Sequence, residues 1–479
     1  MAGQLTDSHR PDEPEPPPLA RSDKRARVGA CSLQSFRITV QVNSETGRPR
    51  RIAAAVRVGI QSLEPALTSD LLPIPRHPAA QQPDWEDDAQ IHSVRQTLAG
   101  RPALVGETDV RTLRRGLAQV SAGAAELIQA GDCAEDPGEC GEADVARRIA
   151  VLDLLAGAME RLGRRPVVRV GRIAGQFAKP RSRPTEYVGG VELPVYRGHL
   201  INGPKPVAEE RRPDPLRLVT GYLAASEIMG HLDRHRAAHP RVPVWTSHEA
   251  LVLDYELPLV RRTESGDLLL TSTHWPWIGE RTRQVDGAHV ALLAKVVNPV
   301  AVKVGPDIDP AELTELCLRL DPDRVPGRLT LIIRMGADTI AERLPALVRA
   351  VRSAGHPVVW LNDPMHGNTV VTDRGYKTRY VRTLRREVAA FRAVLAEAGE
   401  HPGGVHLETT PDQVTECVFD TWEADRVGEV YTSFCDPRLT AEQALLVLAA
   451  WDAEVAPDAW TAAEAGSGPA HQATGGQST

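Results

Sequence analysis

Four residues far apart in the chain offer a mixed set of metal donors: Cys133, His366, Glu408 and Asp436. A thiolate, an imidazole and two carboxylates suit Mn²⁺, Co²⁺, Fe²⁺ or Zn²⁺ better than calcium or a pure magnesium site. Taken singly, each is ordinary, since a lone cysteine is usually a small buried hydrophobe. Their case rests on where they fall: each stands at or beyond the end of a short apolar run, in GDCAE, DPMHGNT, HLETT and CDPRL. Two other thiols compete. Cys140 lies off its strand end, and Cys435, beside Asp436, is expected to turn its side chain away.

A second set is basic. Arg172, Lys179, Arg181, Arg281, Lys303 and Arg334 follow other apolar runs. Several cations in one concave site need an anion, and guanidinium forks match carboxylate and phosphate oxygens. These cations sit in Gly- and Pro-containing turns (RIAGQ, VKVGP, RMG) rather than on helix faces, so backbone can approach a ligand closely. Only six lysines occur among the 56 basic residues, and two of them are in this set, which suits a compact point charge. Trp277 in PWIGER is either core or a pocket wall; Glu249, Glu280 and Asp363 are either orienting acids or solvated loop acids.

The elements that must position these groups show as a rhythm from about residue 125. Short, often β-branched runs are each followed by a polar turn and usually by helical spacing. The runs are Glu126–Ala130, Val167–Val170, Val242–Thr246, Leu268–Ser272, Val300–Val304, Leu329–Ile333, Val358–Leu361 and Gly404–Leu407. Between them Ile149, Leu152, Leu155, Met159 and Leu162, and again Leu384, Val388, Phe391 and Leu395 before Gly399, recur at helical intervals. Strand and helix in alternation predict an α/β fold, a (β/α)₈ TIM barrel, whose active site is built from the C-terminal strand ends. Strands one, seven and eight are then neighbours, so Cys133, His366 and Glu408 converge.

Outside the barrel, strict alternation from Phe36 to Val42, the turn NSETGRP and the run Ile52 to Ile60 predict an accessory β-hairpin. The expected organisation is a disordered tail over 1–33, an extension with the hairpin over 34–80, a catalytic barrel over 81–456 and a second disordered tail over 457–479. The longest apolar run, Ala444 to Trp451, is far short of the ~18 residues of a membrane span. The first thirty residues carry five prolines and no apolar core of a secretory signal. Six cysteines without a CxxC pair fit a reducing cytoplasm. A net charge of −7 argues against coating nucleic acid.

QAGDCAE, RVGRIAGQFAKPRS, TSHEALVLDYE, HWPWIGERTRQVDGAH, NPVAVKVGP, RMG, DPMHGNT, HPGGVHLETT and CDPRL, in order from about residue 80 to 450, resemble the type II (plant-like) 3-deoxy-D-arabino-heptulosonate 7-phosphate (DAHP) synthases. The resemblance implies condensation of phosphoenolpyruvate with erythrose 4-phosphate, with release of phosphate, at the entry to the shikimate pathway and aromatic amino-acid biosynthesis. It makes Cys133, His366, Glu408 and Asp436 the metal ligands, for Mn²⁺ or Co²⁺ first and Fe²⁺, Zn²⁺ or Mg²⁺ after them. Arg172, Glu280, Arg281, Lys303 and Arg334 become the phosphoenolpyruvate site, and Lys179 and Ser182 border both substrates. Lys179 or a water on Glu280 handles protons in this reading, and the partner is a second copy of the chain, in a dimer or tetramer.

Only about forty residues separate INGP from VWTSHEA, where longer members carry an extra helix pair. Feedback by aromatic amino acids of that kind is therefore not expected, and a short form serving specialised metabolism is. An aminoDAHP synthase acting on an imino sugar phosphate shares all the motifs. A catalytically silent regulatory homologue is the alternative of another class, and the intact donor and cation sets count against it.

Overall fold

The computed structural model describes residues 74–452 apart from position 189, together with the two-residue strand Glu64–Pro65. The expected hairpin and most of both tails lie outside the described residues. Eight parallel strands close into a barrel: β1 (Glu126–Gly131), β2 (Val167–Arg172), β3 (Val244–Glu249), β4 (Trp275–Ile278), β5 (Val300–Val304), β6 (Leu329–Ile333), β7 (Val359–Asn362) and β8 (Pro402–Glu408). Strand β8 pairs with β1, placing Glu408 opposite Gly131, and Gly131 in turn faces Arg172 of β2.

Two helices precede the barrel, α1 (Asp88–Ala99) and α2 (Glu107–Ser121). The main helices that follow are α3 (Glu142–Gly163), α4 (Leu216–Ala238), α5 (Ala288–Lys295), α6 (Pro310–Leu320), α7 (Ile340–Ser353), α8 (Val381–Ala398) and α9 (Ala441–Leu448). Their starts and stops are local chemistry. Asp309 accepts from the Ala311 amide ahead of Pro310, Thr440 and Gln443 form a capping box, and α8 stops at Gly399 in the left-handed region. The helical spacings in α3 and α8 bury Leu152, Met159, Leu384, Val388 and Phe391 against the outside of the barrel.

The fourth strand corrects the sequence reading. Leu268–Leu270 pairs antiparallel with Val260–Arg262 in a small sheet that also contains Glu64–Pro65, outside the barrel. The barrel strand is the tryptophan-proline segment after it. Trp275 and Trp277, two apart, send two large rings to the same side and fill the interior, which the consecutive leucines of Leu268–Leu270 cannot do.

Residues two apart on a strand share a face, and toward the C-terminal end the inward series turns from apolar to polar. Leu127 gives way to Gln129, Val170 to Arg172, Trp245 to Ser247 and Glu249, Ala301 to Lys303. The apolar layer packs with Leu113, Leu117 and Val120 of α2, which closes the N-terminal mouth. Chemistry is thereby left to the other end. No helix among the described residues is long and apolar enough to cross a membrane.

Candidate active site

The loop after β2 is held by a buried carboxylate. The amides of Ala174, Gly175 and Gln176 donate to Glu135 at 2.8–3.1 Å, in a stretch where Ala174 and Gly175 take φ values of +67° and +156°. A Cβ on Gly175 would lie 2.2 Å from His248 Nδ1, so only glycine fits. This anchoring delivers Lys179 into the mouth, where its Nζ lies 3.4 Å from both Glu408 Oε1 and Asp436 Oδ2. Burial opposes charge on Lys179, but the two carboxylates prevail and hold the ammonium above its ordinary value.

Glu408, at the end of β8, is buried and surrounded by donors. Arg379 reaches its Oε2 at 2.8 Å, Arg172 its Oε1 at 3.0 Å and His366 Nε2 its Oε1 at 3.2 Å. Burial works against its charge, and His366, Lys179, Arg379 and Arg172 together keep the carboxyl well below the usual range. One donor atom each from His366, Glu408 and Asp436 lies within 4.8 Å of the others, close enough to hold one metal ion. An imidazole nitrogen and two carboxylate oxygens at that separation fit a first-row divalent cation.

Cys133 lies beside that group. Its Sγ is 3.2 Å from Ser433 Oγ and 3.5 Å from the Asp436 amide nitrogen. Cys435 does not turn away as expected: its thiol faces Cys133, because Ser433 Oγ accepts from the Cys435 amide and folds the CDPRL loop back over β1. Burial and that neighbouring thiol push the Cys133 thiol well up. Cys140 is buried elsewhere and contacts Glu227.

Asp363, wholly buried at the end of β7, joins the two sets of residues. Its Oδ2 accepts from Lys303 Nζ at 2.9 Å and lies 2.8 Å from His366 Nδ1. That contact engages Nδ1 and leaves Nε2 toward Glu408, the arrangement in which a carboxylate orients a metal-ligating imidazole. Burial opposes its charge, but His366 and Lys303 hold the carboxyl well below the ordinary range. Arg334 NH2 donates to the His366 carbonyl at 2.8 Å. The loops of Arg334 and His366 touch backbone to backbone: a Cβ on Gly367 would sit 2.2 Å from the Gly336 nitrogen. Beneath them Glu387 of α8 accepts from the Met335 amide and, at 2.5 Å, from Asn368.

Arg172 is buried, with its guanidinium 5.1 Å from the Trp277 ring centroid. Trp277 is core, packed with Trp275, Ile332 and Leu361 inside the barrel. Glu249 and Glu280 each keep one buried carboxylate oxygen without a partner, Oε1 and Oε2 respectively, while Arg283 occupies the other Glu280 oxygen at 3.0 Å. Arg281 and Ser182 meet at the exposed rim, 2.5 Å apart. Arg181 reaches the same group from its edge: it lies 3.6 Å from Glu186, and although burial opposes its charge, Cys435, Asp436 and Glu186 hold its guanidinium above the ordinary value. Sequence reasoning passed over His406, Arg379 and Glu387. His406 had a signal, since it precedes Glu408 by two on one strand and shares its face.

The model of the class-II DAHP synthetase family matches residues 73–238 and 227–450. The chain belongs to the class-II DAHP synthetase family. A relative in Pseudomonas fluorescens named "Probable phospho-2-dehydro-3-deoxyheptonate aldolase" is 55% identical over 379 residues, 78% of this chain and 95% of its own length. The phospho-2-dehydro-3-deoxyheptonate aldolases of Streptomyces coelicolor and Mycolicibacterium smegmatis are each 38% identical and cover 77% of this chain, and 93% and 90% of their own lengths. The solved phospho-2-dehydro-3-deoxyheptonate aldolase of Francisella tularensis aligns with a TM-score of 0.44 and 13% identity, over 77% of this chain and 98% of its own.

Proposed function

We propose that this class-II DAHP synthetase condenses phosphoenolpyruvate with erythrose 4-phosphate in the cytoplasm, giving DAHP and inorganic phosphate at the entry to the shikimate pathway. The observation that carries this reading is one buried mouth in which His366, Glu408 and Asp436 converge beside Lys179, Arg172 and Lys303. Such a mouth takes an anion and a carbonyl together.

His366, Glu408 and Asp436, with Cys133 as fourth ligand, hold a divalent cation, Mn²⁺ or Co²⁺ by preference. Bound there, it supplies Lewis-acid polarisation of the aldehyde oxygen. Arg172, Lys303 and Arg334 hold the phosphoenolpyruvate carboxylate and phosphate over Trp277 and turn C3 toward the aldehyde carbon. The rim pair Arg281 and Ser182 offers donors to an exposed phosphate. As C3 bonds to the aldehyde carbon, Lys179 Nζ gives a proton to the aldehyde oxygen. Positive charge left at C2 is quenched by water, whose proton passes to Glu280 Oε2, the oxygen without a protein partner. Cleavage of the bond between C2 and the phosphate oxygen then releases inorganic phosphate, which takes up the proton of the C2 hydroxyl and leaves the ketone.

Protein mixed with Mn²⁺, phosphoenolpyruvate and erythrose 4-phosphate is expected to consume the enolpyruvate absorbance. No consumption with either the aldehyde or its imine refutes the reading in favour of a silent homologue. Lys179→Met with full turnover removes that residue from proton transfer. The chain also acts as a homo-oligomer in this reading, supported by the half-exposed Leu216 and Leu223 seven residues apart on α4; a monomer mass by light scattering refutes it.

A further inference from the structure

A line of hydrogen bonds crosses the barrel interior beneath the proposed substrate site. Ser247 Oγ donates to the Gly171 carbonyl at 2.9 Å, and Gln129 Nε2 donates to Ser247 Oγ at 2.9 Å. Gln129 Oε1 lies 2.6 Å from His406 Nδ1, and His406 Nε2 lies 2.7 Å from Arg172 NH1. Both ends dictate the same direction. A carbonyl can only accept, so Ser247 donates to Gly171, its oxygen accepts from the Gln129 amide, and the Gln129 oxygen is left to accept from His406. A guanidinium can only donate, so His406 Nε2 carries a lone pair and its proton sits on Nδ1. The amide orientation and the imidazole tautomer are thus forced from opposite sides of the barrel and agree. The ring itself is held edge-on to Trp277, with centroids 5.7 Å apart and planes at 88°.

The consequence falls on Arg172. Its Nε donates to the Asp132 carbonyl at 2.9 Å, and NH2 reaches Glu408 Oε1 at 3.0 Å and the Cys133 carbonyl at 3.3 Å. With NH1 bonded to His406, four of the five N–H directions of the guanidinium are taken by protein. The fifth shares NH1 with the hydrogen that His406 accepts, and the planar group fixes the angle between them. Whatever sets the first aims the second.

We propose that His406 is a positioning residue: locked by Gln129 and Ser247, it accepts from Arg172 NH1 and thereby aims the one remaining Arg172 donor at the phosphoenolpyruvate anion. The proposal rests on the reading that Arg172 binds that substrate. It separates two jobs on one strand, since Glu408, two residues later, faces the metal group while His406 serves the anion.

The test is steady-state kinetics and calorimetric phosphoenolpyruvate binding on His406→Phe, His406→Gln, Arg172→Met and the double variant Arg172→Met/His406→Phe. His406→Phe keeps a ring against Trp277 but removes the acceptor. Its KM and Kd for phosphoenolpyruvate are expected to rise about tenfold or more, the scale of a lost bond to a charged donor, with KM for erythrose 4-phosphate unchanged. His406→Gln, whose amide oxygen can accept from Arg172, is expected to recover most of the loss. In the Arg172→Met background, His406→Phe is expected to add nothing, whereas a merely structural histidine would cost the same in both backgrounds. Should His406→Phe not fold, Gln129→Met, which frees the ring while leaving it in place, is expected to raise KM for phosphoenolpyruvate in the same direction. If Arg172→Met raises that KM while His406→Phe, or Gln129→Met in its place, leaves it at the wild-type value, the positioning role is overturned and the Arg172 reading stands. If Arg172→Met itself binds phosphoenolpyruvate normally, the reading of Arg172 falls and takes this proposal with it.

Discussion

Glu387 gives the sharpest prediction, because its energetics can be worked through without reference to any ligand. It lies on α8, outside the barrel, and its carboxylate ties the Met335 amide of one active-site loop to Asn368 of the next. Burial pushes its carboxyl from the ordinary 4.5 up to about 7, against the pull of the amides it accepts from. A carboxyl raised in the folded state binds its proton more tightly there than in the unfolded chain. Its contribution is therefore fully present below about pH 4.5 and is lost as pH rises through about 7. At 1.36 kcal/mol per unit, that linkage removes about 2.5 kcal/mol of stability between about pH 5 and 8. Glu387→Gln cannot titrate. It pays a constant cost of about 1–2 kcal/mol for presenting an NH₂ group where an oxygen accepted, and this offset is the same at every pH. Urea unfolding of both proteins across that range is the assay. The variant is expected to gain on wild type by about 2.5 kcal/mol from the acid to the alkaline end, even where it starts less stable. Two parallel stability curves would show that Glu387 is ionised in the fold at neutral pH and would refute the argument.

Three further outcomes follow from the site geometry. Gly367→Ala drives a methyl into the Gly336 backbone, so kcat is expected to fall at least tenfold with the fold intact by circular dichroism; unchanged kcat contradicts the loop contact. Trp277→Leu removes the ring beneath Arg172 and is expected to raise KM for phosphoenolpyruvate several-fold, since a buried cation–π contact is worth about 1–2 kcal/mol; a change confined to erythrose 4-phosphate would show that the ring does not support Arg172. Cys133→Ser is expected to weaken Mn²⁺ binding by calorimetry and lower activity together, while full activity of a chelator-treated, metal-free preparation of the wild type would remove the metal scheme.

The strand rhythm was legible because seven of the barrel strands overlap short, largely buried apolar runs, as strands of a parallel sheet do. The fourth was not. Its Trp-Pro-Trp-Ile is short, contains proline and is flanked by His and Gly, whereas Leu268–Leu270 looks more strand-like and does form a strand, in another sheet. Local preference cannot tell which of two neighbouring segments closes a barrel; the volume inside the barrel decides it. Arg172, Lys303 and Glu408 stood out because they lie at the C-terminal ends of strands, where polar residues interrupt apolar runs, whereas Lys179 and Asp436 come from loops well beyond β2 and β8. The supports of the site did not stand out, because Arg379 on Glu408 and Glu387 under two loops come from distant elements, and no local pattern marks a side chain whose partner is set by tertiary packing. Cys435 was misread for the same reason: its direction is set by the fold-back of its loop.

Closure of the barrel has a consequence for the order in which the protein is made. Cys133 follows the first strand and Asp436 follows the last, 303 residues later in the chain, and they meet only because β8 pairs with β1. A nascent chain emerging from a ribosome holds the first donor long before the others exist. Contacts across so many residues form slowly, so the proposed metal group comes together at the end of assembly, with the final seam of the cylinder. A chain that stops short of β8 lacks Glu408 and Asp436, two of the three residues of that group.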